Sequence, residues 1–320
     1  MRVLAELALA AALAIPAAAL GEKAPQLAQA NAALQAGEAD KALALLNLSG
    51  GKAESYNLRC RVEYTLEQWD RAVSDCEQAV RMNGQNSDDH MWLGRALGEK
   101  ASRASFMTAY SLGKRVRSEF EEAARLDPRN AAALADLGEF YYDAPGVVGG
   151  GTDKAERVAA QLDRIDGIRA HELRGHIAEQ HKDYGTAEGI FKQAITASAH
   201  PAFEWMSLAS FYRRRGRWTE MESAVRSGEN AAARDKHAGV ALYNGASLLI
   251  RTKRDPARAA KMLEDYLAGG GKTEEAPAFV VHTRLAQLKA QLGDKASASR
   301  ERTAALALAH DYKPAQNLKF

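Results

Sequence analysis

Small and large apolar residues recur along this chain at helical spacing, and that recurrence constrains the fold more than any other feature. Ala187, Phe191 and Ala194 stand at i, i+4 and i+7, and Gly175 precedes them by twelve residues. Because 3.6 residues per turn place such positions on one helical face, each triplet predicts a helix that another helix can approach closely. The same triplet recurs at Ala72, Cys76 and Ala79. A helix pair of this kind buries its apolar face only against stacked neighbours, so the recurrence predicts an array.

A second pattern identifies the kind of unit. Trp205, Leu208, Ala209 and Tyr212 reproduce the W-x2-L-G-x2-Y half of the 34-residue tetratricopeptide repeat, with Ala in place of Gly. The chain therefore resembles the tetratricopeptide-repeat family. The resemblance implies an all-α, right-handed superhelical solenoid of about seven to eight helix pairs, whose first helices line a concave groove. Insertions or one-residue ambiguities of register are expected in the units around Gly94, Gly138 and Gly245. Contacts should run only between neighbouring units, and deletion of terminal units should remove structure progressively.

The first twenty residues form a separate segment. They carry a basic Arg2, an apolar stretch, Pro16 and a small-x-small signal at Ala17 and Ala19, as in a secretory signal peptide. We therefore expect a signal peptide at 1–19 and a single solenoid domain at 20–320, exported to a periplasmic or secreted location. An uncleaved amphipathic first helix is the alternative. No second apolar stretch is long enough to span a bilayer, so no integral membrane span is expected in the mature chain.

Export to an oxidising compartment would allow the two cysteines to form a disulfide. Cys60 should lie on the first helix and Cys76 on the second helix of one pair, about equally far from the turn near Glu67. Nearby thiols tend to pair in an oxidising compartment, which predicts a Cys60–Cys76 disulfide, with two buried free thiols as the alternative. Two cysteines without histidines at finger spacing do not make a zinc site.

Enzyme-like motifs in the chain fail on spacing, so we expect no catalytic residue, no cofactor and no metal. The sequence GKT at 271–273 ends like a phosphate-binding loop, but the required earlier glycine is missing. His171 and His176 are five residues apart, about 140° around a helix, where two zinc ligands need four. The neighbouring Glu274 and Glu275 are expected to be ordinary solvated charges.

The overall charge is close to balanced. Lys and Arg number 43 against 41 for Asp and Glu, a net of +2, which creates no general field for nucleic acid. We therefore expect no nucleic-acid partner. The one dense basic run, at 213–217, is read as a solvated turn, with an anion-contacting patch as the alternative.

A glycine-rich turn is the most distinctive local sequence. Residues 144–150 read APGVVGG and resemble the A-P-x-x-x-G-G turn of some bacterial tetratricopeptide proteins. Those include proteins associated with periplasmic substrate-binding components of tripartite transporters; the eukaryotic regulators of microtubule dynamics share the turn. These families have no single activity in common that could be carried over.

The family resemblance also predicts which side chains face the groove. In tetratricopeptide units, positions 2, 5, 9, 12 and 13 usually do so. In the readable units these include Glu139, Tyr142, Arg169, Glu172, His176, Glu179, Phe203, Met206, Arg213 and Arg214. Such a mixture could hold an extended peptide, acidic or C-terminal, through charged bonds and apolar pockets, or it could be only a solvated wall. Arg213 and Arg214 are not expected to pack between helices.

These expectations favour a non-enzymatic, exported scaffold that binds a protein or peptide in its groove, in envelope assembly or transport. Fold alone does not fix function, so the assignment rests on family analogy. The alternative, suggested by the glycine-rich turn, is a small-molecule-binding accessory of a periplasmic transport system. The ligand and the oligomeric state are not predicted.

Overall fold

The described part of the chain consists of helix pairs in sequence. A computed structural model describes residues 23–320, and the predicted signal peptide lies outside them. Within that range there are eight helix pairs, a short final helix, one 3-10 turn and no strand. The prediction of an all-α array is therefore confirmed, with the pair count at the upper end of the expected seven to eight.

The helices follow one another with short connections. The first four pairs are α1 (Lys23–Ala36) with α2 (Ala39–Leu48), α3 (Ala53–Thr65) with α4 (Trp69–Met82), α5 (Ser87–Ser102) with α6 (Phe106–Leu126), and α7 (Ala131–Asp143) with α8 (Thr152–Leu162). The last four are α9 (Gly167–Gln180) with α10 (Tyr184–Ala197), α11 (Ala202–Arg214) with α12 (Trp218–Ala232), α13 (Gly239–Thr252) with α14 (Pro256–Ala268), and α15 (Ala278–Gln291) with α16 (Lys295–Leu308). Helix α17 (Lys313–Gln316) ends the described chain.

One type of turn recurs between the two helices of a pair. In six pairs the first helix ends at a residue with a left-handed backbone conformation. The N–H of that residue donates to the carbonyl three residues before it, and the N–H of the next residue donates to the carbonyl five residues before itself. This double bond pattern is the Schellman motif, which satisfies carbonyls that a helix end leaves free. The left-handed residues are Gly37, Glu67, Lys182, Gly216, Lys253 and Gly293.

Small residues allow the helices to approach closely, as the sequence predicts. Ala187, Phe191 and Ala194 are all buried, and a Cβ added at Gly175 would lie 2.7 Å from the ring of Phe191. That separation is below van der Waals contact, so α9 must be thin where α10 crosses it. The periodicity therefore reports real packing between the two helices of a pair.

The two longest connections follow α7 and α14. After α7 the chain forms a 3-10 turn at Gly146–Val148, and the N–H of Gly151 donates to the carbonyl of Tyr141 at 2.7 Å. The pair α13–α14 has a regular turn, although the sequence suggested an irregularity near Gly245. The extra length falls instead in the segment 269–277, which joins α14 to α15 and lies against the inner side of the array.

The last pair packs against the first, so the array is closed. Leu34 and Val62 share one buried apolar cluster with Phe279 and Tyr312. Around it, the hydroxyl of Tyr312 donates to Glu67 at 3.2 Å. The expectation that only sequential neighbours touch is therefore wrong at the two ends, because the curvature brings the ends together.

The segment 269–277 strengthens this closure through Glu274. Its carboxylate accepts two bonds from the guanidinium of Arg61, at 2.9 and 2.6 Å, and a third from Gln35 at 3.2 Å. The Glu274 side chain is only 14% exposed. The reading of Glu274 as a solvated loop charge is wrong, since it joins the eighth pair to the first two in a bidentate geometry.

The two sulfur atoms lie at bonding distance, as predicted. Cys60 on α3 and Cys76 on α4 are fully buried, and their Cα atoms are 5.3 Å apart, within the usual range for a disulfide. The bond joins the two helices of the second pair.

Glu63 and Asp75, on the two helices that the disulfide joins, form a pair of carboxyl groups that predicts a pH dependence. Burial, together with the adjacent Asp75 of α4, raises the pKa of Glu63 on α3 well above its ordinary value of 4.5. A carboxyl group with a raised pKa in the folded state favours folding only while it is protonated. Its contribution to stability is present below the ordinary pKa and is lost as the pH rises. We expect Glu63→Gln to be more stable than the parent by about 1–3 kcal/mol near pH 9, and the gain to shrink toward pH 5.

Chemical denaturation at the two pH values measures this effect. Glu54→Gln, on the exposed side of the same helix, is the matched control and should show no comparable gain. Equal stabilisation of Glu63→Gln at both pH values would contradict the role of ionisation.

Candidate functional site

The first helices of the pairs surround an inner surface with two cavities. Cavity A, of about 790 Å³, lies against α9, α11 and α13, and cavity B, of about 720 Å³, lies against α3, α5, α7, α13 and α15. Glu275, from the segment 269–277, lines both cavities. Both volumes fall within the range of sites that hold small molecules or short peptide segments.

Six of the predicted groove residues line these cavities. Cavity A includes Arg169, Glu172, His176, Phe203 and Met206, and cavity B includes Glu139. Their ability to bind a ligand remains a prediction. Met206 contributes little free surface, because it is 3% exposed and packs into the core.

Arg214 has a structural partner, contrary to the expectation that it stays free. Its guanidinium donates to both carboxylate oxygens of Glu179 at 2.9 Å, and to the hydroxyl of Ser210 at 2.9 Å. Glu179 lies on α9, so this pair joins the first helices of two successive units. Arg215 lies 3.4 Å from the same carboxylate. Reversing the charge of Arg214 would therefore disturb packing as well as any ligand.

Tyr142 and His176 form a stacked pair in the inner wall. Their ring centroids are 5.2 Å apart and nearly parallel. Burial, with the nearby charge of Arg214, lowers the pKa of His176 to about 4, so the ring is neutral at neutral pH. Burial, with Glu139 and Asp143, raises the pKa of Tyr142. Neither group carries a charge near pH 7, and the stack acts as an apolar surface with polar edges.

Cavity B combines aromatic rings with carboxylates. Arg95 lies 4.7 Å from the ring centroid of Trp92 and donates to Asp136 at 2.5 and 3.1 Å. Burial, followed by the charges of Asp136 and Asp143, raises the pKa of Glu139. Arg95 is thus held by Asp136 and forms no ion pair with Glu139 in the described residues.

Two arginines on the inner side have no carboxylate partner within residues 23–320. Arg213 is half-buried at the end of α11, beside Arg251 at the end of α13. Burial, and then repulsion from Arg251, lower the pKa of Arg213, whose buried Nε has no hydrogen-bond partner. Glu179, the nearest carboxylate, is already bound by Arg214. Arg251 lines cavity A and Arg213 does not, so the edge of the cavity where the two arginines meet is suited to an anionic group.

The opposite end of cavity A holds a buried acid that the sequence analysis did not select. Glu204, the third residue of α11, is 5% exposed, and its Oε2 accepts no hydrogen bond from any residue that the structure describes. The sequence did not predict Arg251 and Asn244 as groove residues, because the register of the unit around Gly245 is ambiguous. Glu204 does not occupy one of the five positions used to select groove residues, so no sequence signal pointed to it.

In the described range no group of three or more His, Cys, Asp or Glu side chains could hold a metal ion. None of the helices from residue 23 onward combines the length and apolar character needed to cross a bilayer.

Comparison with known proteins identifies the fold. No family model and no curated protein sequence matches the chain. Among solved structures, the yeast protein Tom70 is similar over 84% of this chain and 56% of its own, with 14% identity and a TM-score of 0.53. TTC0263, a thermophilic tetratricopeptide-repeat protein of Thermus thermophilus, is similar over 59% of this chain and 98% of its own, with 17% identity and a TM-score of 0.50. The chain has the tetratricopeptide-repeat fold.

Proposed function

We propose that this protein is a non-enzymatic scaffold that binds an extended segment of another polypeptide along its inner surface. The observation that carries the proposal is the pair Arg213 and Arg251, two adjacent cations without a carboxylate partner in the described residues. Neighbouring like charges repel, and an anionic ligand group would relieve that repulsion. A backbone carboxylate or an acidic side chain supplies such a group.

The rest of cavity A fits a peptide. Phe203 and Leu248 offer apolar surface, while Asn244 and Ser247 offer hydrogen-bonding groups. Peptides bind well where apolar pockets alternate with a few fixed polar contacts. The tetratricopeptide fold supports the same function by analogy.

Charge reversal tests the anionic contact. We expect Arg213→Glu with Arg251→Glu to weaken partner binding by tenfold or more, roughly 1.4 kcal/mol, while the protein stays folded, because neither residue forms an ion pair within residues 23–320. Higher salt should also weaken binding by the parent, since exposed charges are screened over about 8 Å at physiological ionic strength. The matched control is Arg226→Glu, an exposed arginine on the second helix α12. Unchanged binding by the double variant at low salt would contradict this site.

We further propose that the mature protein acts in the periplasm, in envelope assembly or transport. The support is the sequence at 1–19, with its cleavage signal before Leu20, and the paired cysteines. N-terminal sequencing of protein from a periplasmic fraction should begin at or near Leu20. Full-length protein retained in the cytosol would contradict export.

The alternative of a small-molecule accessory is supported by the cavity volumes, about 790 and 720 Å³. Native mass spectrometry of purified protein separates the two functions. A stoichiometric metabolite displaced by substitutions in cavity A favours the accessory, whereas a copurifying polypeptide sensitive to Arg213→Glu with Arg251→Glu favours the scaffold.

A further inference from the structure

The hairpin of α5 and α6 is longer at its turn end than the α9–α10 pair. A Cβ added at Gly94 would lie 2.5 Å from the ring of Phe120. Gly175 and Phe191 have the same relation at 2.7 Å, so Phe120 and Phe191 occupy equivalent positions. Both second helices end six residues after that phenylalanine, but α6 begins fourteen residues before it and α10 only seven. The extra seven residues are two helical turns, about 10 Å, so the tip of this hairpin, residues 101–113, extends beyond the regular unit.

The tip carries the most exposed large apolar side chains of the described chain. Phe106 is 81% exposed and Met107 is 73% exposed. Beside the base of the tip, the 3-10 turn at Gly146–Val148 packs on α6 and adds Val147, which is 67% exposed. None of the three lines cavity A or cavity B. Clustered apolar side chains of this exposure mark a contact with a membrane or with another protein.

The charges around the tip favour an anionic membrane surface. Residues 100–118 contain five cations and no carboxylate: Lys100, Arg103, Lys114, Arg115 and Arg117. Within the tip itself Arg103 is the only charged residue, so insertion into a bilayer surface would bury no carboxylate.

The cations remain able to contact lipid phosphates. Four of the five pair with carboxylates that lie outside residues 100–118, and such exposed pairs are weak. Lys114 has no carboxylate partner in residues 23–320, and its Nζ lies 4.3 Å from the ring centroid of Tyr110, one turn nearer the tip. An aromatic ring followed by a lysine is the order in which these side chains occur at a membrane interface, with the ring at the headgroups and the cation at the phosphates.

We propose that the tip of the α5–α6 hairpin inserts Phe106 and Met107 into the surface of a bilayer that contains anionic phospholipid, with Lys114 at its phosphate groups. Such binding depends on buried apolar area and on attraction to anionic lipid, and two side chains give weak, reversible adsorption. It would hold the array at a membrane without a spanning helix. The proposal goes beyond the binding of a polypeptide and does not rest on it.

Flotation of the purified protein with lipid vesicles tests this proposal. Parent protein should float with vesicles of phosphatidylglycerol and phosphatidylcholine in equal parts, and more weakly with phosphatidylcholine alone. Phe106→Ser with Met107→Ser should lower the partition coefficient on the mixed vesicles by tenfold or more, because two apolar side chains no longer leave water. The variant should stay folded, since both side chains are exposed, and its circular dichroism should match the parent.

The matched control removes two exposed apolar side chains from the opposite edge of the array. Leu48 and Met82 are 66% and 48% exposed and end the second helices α2 and α4. Leu48→Ser with Met82→Ser should leave vesicle binding unchanged. An equal fall in both double variants would mean that general surface hydrophobicity, and not the tip, drives binding, and would overturn the proposal.

Two further variants separate insertion from electrostatic adsorption. Lys114→Glu should weaken binding to the mixed vesicles by about fivefold or more and have little effect on phosphatidylcholine vesicles. Phe106→Trp should show fluorescence that lipids brominated on their acyl chains quench, beyond the quenching seen in the parent. Binding without that added quenching would mean that the tip does not enter the bilayer, and would contradict the proposal.

The remaining outcomes also decide. A parent protein that does not float with the mixed vesicles would overturn the proposal. Self-association of the parent that Phe106→Ser with Met107→Ser removes, without vesicle binding, would show that a second copy of the chain covers the tip. The same double variant should bind the polypeptide partner as the parent does, so failure of either proposal leaves the other standing.

Discussion

Gly37→Ala should destabilise the protein by about 3 kcal/mol or more. Gly37 has a φ of +72°, and a Cβ placed there would lie 2.2 Å from the backbone nitrogen of Ala278. Backbone cannot move aside as a flexible side chain can. The turn between α1 and α2 would have to separate from α15, and the contact between the two ends would be lost.

The control is Gly293→Ala, in the equivalent turn of the last pair. Gly293 has a φ of +87°, but nothing in the described chain lies within 4 Å of an added Cβ. This variant should be destabilised only by the cost of placing alanine in the left-handed region, about 1–2 kcal/mol. Hydrogen exchange should show faster exchange in α1, α2 and α15–α17 for Gly37→Ala only. Equal losses for both variants would mean that the contact between the first and last pairs contributes little.

Loss of the disulfide should have the next largest effect. Cys60 and Cys76 are 16 residues apart, and closing such a loop stabilises a fold by about 3 kcal/mol on the chain-entropy estimate. We expect the double variant Cys60→Ala with Cys76→Ala to lose about that amount relative to oxidised parent. Chemical denaturation without reductant measures the difference.

Reductant provides the internal control for the disulfide. Because both sulfurs are fully buried, parent protein should resist reduction until it unfolds. Added reductant should then lower the stability of the parent and leave the double variant unchanged. Two reactive thiols in parent protein unfolded without reductant would contradict the bond.

Local periodicity predicted the parts of the fold that depend on local sequence. Gly175 and Phe191 were placed correctly because residues at fixed helical spacing determine how α9 meets α10. The closure was not predictable in this way, since Arg61 and Glu274 meet across 213 residues of chain. That distance is set by the summed curvature of all the pairs, which no single unit encodes.

The same distinction applies to the inner surface. Position within the unit brought Arg169, Glu172 and Phe203 to cavity A. It could not show that Arg214 is held by Glu179 on the preceding unit, because that contact depends on how two units are offset. Arg251 belongs to the unit around Gly245, whose register is ambiguous in the sequence. Its position at cavity A follows only from the position of α13 in the structure.

Site-specific photo-crosslinking tests the central claim, that the inner surface binds a polypeptide, most directly. A photoreactive residue at Asn244, exposed in cavity A, is compared with one at Lys192, exposed on the second helix α10. We expect one defined protein adduct from position 244, lost when Arg213 and Arg251 are changed to Glu, and none from position 192. An adduct with the same protein from position 192 alone, unaffected by those substitutions, would contradict it.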